Sequence, residues 1–103
     1  MIIRIGAKNR MSVKEIYVPK LFPTHTIREI LVVEQWYVRE GDILQPKALM
    51  VSLEAPPGFF DIPAPPEITV PHRVIHLCVG RGEKTRLHEP LITLEPIFDV
   101  QSE

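Results

Sequence analysis

Val33-Glu34-Gln35-Trp36-Tyr37-Val38-Arg39-Glu40-Gly41-Asp42 leads, after a short spacer, to Val51-Ser52-Leu53-Glu54. The same arrangement returns 41 residues later. Gly41-Asp42 falls on Gly82-Glu83, and Val51-Ser52-Leu53-Glu54 falls on Ile92-Thr93-Leu94-Glu95. Upstream, Val33, Trp36 and Val38 fall on Val74, Leu77 and Val79, with no gap anywhere between Val33 and Glu54. Each copy reads as strand, glycine–acid turn, spacer, strand. Self-similarity at a fixed period marks repeated supersecondary units. Two such units are expected to pack face to face about a pseudo-two-fold axis.

Working outward, the rest of the chain also reads as strands. Glu15–Pro19 is short, β-prone and closed by proline. Residues 27–38 form one long run rich in β-branched and aromatic residues. Its positions 27, 30, 31 and 33 fit helical spacing for about one turn, but composition and the turn at Arg39–Asp42 favour strand. Leu49–Glu54, Phe59–Pro63, Arg73–Val79 and Leu91–Glu95 complete the set. No stretch must be helical. The 11 prolines are spread between apolar runs, so they punctuate strands and do not mark disorder. The expected class is all-β, a flattened barrel or sandwich of two four-stranded antiparallel sheets with quasi-two-fold symmetry, over residues 14–96. Residues 1–13 and 97–103 are expected to be tails. The first of these carries basic Arg4, Lys8 and Arg10 before any acid, and removing residues 1–12 is expected to leave folding intact.

The composition narrows the function. A chain of 103 residues suits one domain. Twelve Lys and Arg against 13 Asp and Glu give a net charge of -1, which supplies no general attraction to nucleic acid or anionic membrane. No apolar run reaches the roughly 20 residues of a membrane helix, and Met1–Gly6 is too short and basic for a signal-peptide core. The one cysteine, Cys78, allows no internal disulfide framework or multi-cysteine metal site, so a reducing cytoplasm is the expected compartment. No phosphate-cradling glycine loop, Ser/His/Asp set or zinc spacing occurs, and no enzyme activity is expected.

The order Val38–Asp42, Leu49–Glu54, a tight tip, Asp61-Ile62-Pro63-Ala64-Pro65, Val79–Glu83 and Leu91–Glu95 resembles the biotin/lipoyl attachment domain, and more closely its lipoyl branch, over roughly residues 15–96. The resemblance implies a barrel-sandwich hybrid with one lysine at the hairpin tip, joined to its cofactor through an amide. Counting from Glu54 forward and from Asp61-Ile62-Pro63 back, the tip position here is Pro57. Proline offers no amine, and neither do Ala55, Pro56, Gly58 or Phe59. No covalent cofactor is therefore expected at the tip. A second departure is Pro66-Glu67-Ile68-Thr69, about four residues extra in the link between the halves, which predicts a larger second turn.

Pro56, Pro57, Gly58 and Phe59 are the candidate binding residues. Pro57 followed by Gly58 suits the central positions of a type II turn, which makes a stiff tip. Strand alternation then places Phe60 inward with Ile62 and leaves Phe59 outside, as an apolar anchor for a protein partner. Trp36 is expected in the core or half-core. His25, His72, His76 and His88 lack ligand spacing and are expected at the surface or in turns, with no metal. Cys78 takes the place of Tyr37 and is expected to face out. Glu54 and Glu95 end symmetric strands, which explains them without acid–base chemistry. The reading is a non-enzymatic, non-lipoylated module acting through protein–protein contact, as a monomer or weak homodimer. Its alternatives are a carrier modified at Lys20, Lys47 or Lys84, of which the last two are read in turns, and a cofactor-free piece of a membrane-fusion or secretion adaptor.

Overall fold

Leu49-Met50-Val51-Ser52-Leu53-Glu54-Ala55 is β-branched and aliphatic enough to sit at the centre of a sheet, and it does. The computed structural model describes residues 13–56 and 58–97. The expectations for tails at 1–12 and 98–103, and for Pro57, lie outside these. Eight strands run in chain order: β1 Lys14–Tyr17, β2 Leu31–Trp36, β3 Ile43–Leu44, β4 Leu49–Ala55, β5 Gly58–Pro63, β6 His72–Leu77, β7 Lys84–Thr85 and β8 Pro90–Pro96. They form two four-stranded sheets, β1-β8-β6-β3 and β5-β4-β2-β7, with every pairing antiparallel. Among the described residues there is no helix. The fold is the all-β sandwich expected.

The pairings of the two halves correspond under the 41-residue shift. Val33 opposes Leu53 as Val74 opposes Leu94, and Trp36 opposes Val51 as Leu77 opposes Ile92. Both long strands break register at the same place, leaving Glu34 and Ile75 as the extra residues. A second break, at Met50 in β4 and Leu91 in β8, turns two neighbouring side chains inward where strict alternation allows one. Leu31, Val33, Met50, Leu53, Val74, Leu91, Ile92 and Leu94 accordingly fill the space between the sheets and are fully or almost fully buried.

The glycine–acid turn explains how the halves interlock. In the first, the Arg39 N–H donates to Asp42 Oδ2 at 2.8 Å and the Asp42 N–H donates to the Arg39 carbonyl at 3.0 Å. In the second, the Gly80 N–H donates to Glu83 Oε1 at 2.7 Å and the Glu83 N–H to the Gly80 carbonyl at 3.0 Å. Gly41 and Gly82 sit between at φ 93° and 83°, a region that a Cβ disfavours. Their N–H groups then reach across. Gly41 donates to Val74 O at 2.8 Å and Gly82 to Val33 O at 2.7 Å. Each half's turn is thus tied to the long strand of the other half, and neither closes its core alone.

Two expectations need correction. The run at 27–38 is not one strand. Residues 27–30 form a turn, because the Thr26 hydroxyl and N–H both donate to Glu29 Oε1 and the Glu29 N–H returns to Thr26 O. This local Thr-x-x-Glu closure competes with strand pairing and wins. His25 and His72 are not surface residues: both are buried. His25 accepts the Leu21 N–H at 3.0 Å and stacks on Phe22 at 4.8 Å, while His72 Nδ1 meets Val70 O at 2.7 Å. The shape and flat faces of imidazole let it fill these positions with one ring nitrogen satisfied.

Candidate functional site

The hairpin between β4 and β5 projects the residues singled out in the sequence. Ala55 pairs with Gly58, so the connection is residues 56–57. This corrects the expected turn. Gly58 is the first residue of β5, not a central turn position, and its φ of 147° is too extended for the second central residue of a type II turn. Pro57 lies outside the described residues. Pro56 is exposed, Gly58 is half-buried, and Phe59 is 65% exposed on the outer face. Phe60 points inward, half-buried, and packs against the core. Pairing alternation places both rings as expected.

Across the outer face, Phe59, Glu54, Val32 and Lys84 stand in register on β5, β4, β2 and β7. Lys84 therefore lies in a strand, not in the turn expected from the sequence, and it ends the row that Phe59 begins. Lys47 does lie in a turn, with φ 71°, and Lys20 is exposed outside any strand. Glu54 and Glu95 fall in different sheets, so they form no carboxylate pair. Below the first row, the Tyr37 hydroxyl donates to Asp61 Oδ1 at 3.0 Å, across a buried Ser52. That bond to an anionic acceptor holds the Tyr37 phenol above the ordinary tyrosine range. Just past the end of β6, in the bend rather than the strand expected, Cys78 is half-buried and not fully outward, with Sγ 3.8 Å from Thr93 Oγ1. His76 Nδ1 lies 3.0 Å from Glu40 Oε2. Trp36 is half-buried, and its indole N–H donates to Val79 O at 2.8 Å, a further tie between the halves.

The structure adds residues that strand periodicity did not reveal. The connection 18–30 folds down beside the hairpin, where Phe22 stacks on Phe60 at 5.8 Å. Phe22, Pro23, Thr24, Glu29, Pro56 and Phe60 line an open groove of about 530 Å³. Glu29 is held in place by its bonds to Thr26, and those bonds, the backbone N–H first, keep its carboxyl below the usual range. The Thr26-x-x-Glu29 spacing was a readable signal for this turn; nothing local pointed Phe22 at Phe60. A second, smaller groove on the far side of Pro56 is lined by Ile30, Val32, Glu54 and Ala55.

Among the described residues, His, Cys, Asp and Glu nowhere gather in a group of three that could hold a metal ion. Among them, too, no helix is long and apolar enough to cross a membrane. No protein-family model matches the chain, and no curated protein sequence matches it.

Proposed function

We propose that this chain is a biotin/lipoyl-like module that carries no cofactor and works by contact with another protein at its β4–β5 hairpin. One observation carries the reading: Phe59 stands 65% exposed in the strand that leaves the hairpin. Large rings are normally drawn into a core, and a phenyl group buried on association contributes about 1.5–3 kcal/mol. Two prolines join the paired residues Ala55 and Gly58, so the hairpin offers no amine for acylation. The corresponding strand registers of the two halves support the likeness to that family. A single half-buried thiol suits a reducing compartment such as the cytoplasm.

The test pairs two variants of the full chain. Phe59→Ser is expected to keep the melting temperature and to lose specific association, read by sedimentation over a concentration series and by affinity capture compared with the parent chain. Phe60→Ser is expected to lower the melting temperature, since it removes a ring packed on the core. Intact mass after co-expression with lipoate and biotin ligases is expected to show no adduct. An adduct on Lys20, Lys47 or Lys84, or a Phe59→Ser chain that associates as before, overturns the proposal.

A further inference from the structure

The groove between residues 22–29 and the hairpin has a chemistry of its own. Its walls are two stacked phenyl rings, Phe22 and Phe60, together with Pro23 and Pro56, and its one ionisable lining group is Glu29. Only Oε1 of that carboxylate takes the bonds from Thr26. Oε2 accepts no hydrogen bond among the described residues. The ion pair found among them joins His76 and Glu40, so neither Glu29 nor Glu54 makes an ion pair there, although the neighbouring His25 ring also helps to hold the Glu29 carboxyl down. Two adjoining grooves, one on each side of Pro56, thus each combine apolar walls with one unpaired carboxylate. The guanidinium of Arg86 is engaged with Ile27 O at 3.4 Å.

We infer that the Phe22–Phe60 groove receives an arginine side chain from a partner polypeptide, with the aliphatic stem along the apolar wall and the charge at Glu29. Charge complementarity selects a cation, because a neutral apolar guest leaves the carboxylate without a partner. The apolar wall selects arginine over lysine, because a guanidinium is more weakly hydrated than a compact ammonium and gives up water to such a wall more readily. The hydrophobic wall selects a side chain with a methylene stem over a free inorganic cation. The inference rests on the contact reading above and adds the partner's chemistry to it.

The experiment is a titration of the full-length ¹⁵N-labelled chain with N-acetyl-arginine amide, followed by the backbone amides. Its neutral isostere N-acetyl-citrulline amide and N-acetyl-lysine amide run alongside. Saturable shifts are expected at Phe22, Glu29 and Phe60, with citrulline binding about threefold to fivefold more weakly, as an exposed ion pair allows. Glu29→Gln keeps an oxygen acceptor for Thr26 and is expected to abolish the preference for arginine over citrulline. Equal binding of the two amides, shifts that map elsewhere, or a preference that survives Glu29→Gln overturns the inference. Should Glu29→Gln fail to fold, the arginine–citrulline comparison on the parent chain decides. The two readings separate cleanly. An arginine preference in a chain whose association ignores Phe59→Ser sinks the hairpin reading and keeps the groove. Loss of association in Phe59→Ser without arginine binding does the reverse.

Discussion

The half built from β2, β3 and β4 and the half built from β6, β7 and β8 have the same strand lengths, register breaks and turn bonds, yet they present different surfaces. β4 continues through residues 56–57 into β5, whereas β8 runs out toward the C-terminus beside β1. Where Leu53 faces Phe60, Leu94 faces Lys14, which is exposed. The connection that follows β1 spans 18–30 and brings Phe22 and Glu29 to the hairpin. The one that follows β5 spans 64–71 and contributes the buried Ile68. The extra residues read at Pro66–Thr69 lie within this second connection. The comparison teaches that backbone pairing and core are shared between the halves, while the surface proposed for binding lies at one end, where a connection and a hairpin meet.

The largest expected effects test whether the cores are energetically equivalent. Leu53→Ala and Leu94→Ala each remove a fully buried side chain at a matched position. Each is expected to lose about 2–5 kcal/mol in denaturant unfolding, and the two losses should agree closely. A loss confined to one half breaks the correspondence. Next come the turn glycines. A Cβ on Gly41 or Gly82 meets nothing within 4 Å, so Gly41→Ala and Gly82→Ala test backbone conformation alone. Each should cost about 1–2 kcal/mol, measured in the same way.

Trp36→Phe breaks the comparison on one side, since Leu77, its counterpart, has no side-chain N–H to donate. It keeps most of the ring but strands the Val79 carbonyl, and a loss of about 1 kcal/mol is expected. Leu77→Ala should act only through packing, so exchange protection near Val79 distinguishes the two.

The smallest effect is spectroscopic. Tyr37 donates to Asp61 and Tyr17 donates to Glu15 at 2.8 Å, and both phenols are held above the ordinary range, chiefly by those bonds. A raised phenol stabilises the fold below the unfolded tyrosine value, near pH 10. That contribution disappears as pH rises through the folded value. Ultraviolet titration should show Asp61→Asn bringing Tyr37 back toward the ordinary range while leaving Tyr17 raised. If both tyrosines move together, the two sheets are coupled more tightly than their separate bonds imply.

Much of this architecture was legible from local pattern. Alternation in Phe59–Ile62, the β-branched runs and the glycine–acid turns depend on residues near one another in the chain, so their periodicity points to strands, faces and turns. The 41-residue shift extends the pattern to the pairing itself, because matched sequences that need partners find them in each other. What escaped depended partly on local bonds that outweighed strand propensity and partly on meetings between distant residues. Thr26 closing on Glu29 shortened a strand by a local bond that outweighed β-propensity. His25 and His72 became core because shape and one hydrogen bond each outweighed their polarity. Gly58 entered a strand because Ala55 lay opposite it. Phe22 and Phe60 are far apart in sequence, and no periodicity joins them; their stacking, and the groove with Glu29, arise only when the connection 18–30 folds back over the end of the sandwich. Sequence alone determined the all-β class, the two repeated units and the outward Phe59, since each follows from neighbouring residues and a repeated spacing. Tertiary packing alone decided where an aromatic wall and an unpaired carboxylate come together, since burial and electrostatics depend on distances that only the folded chain defines.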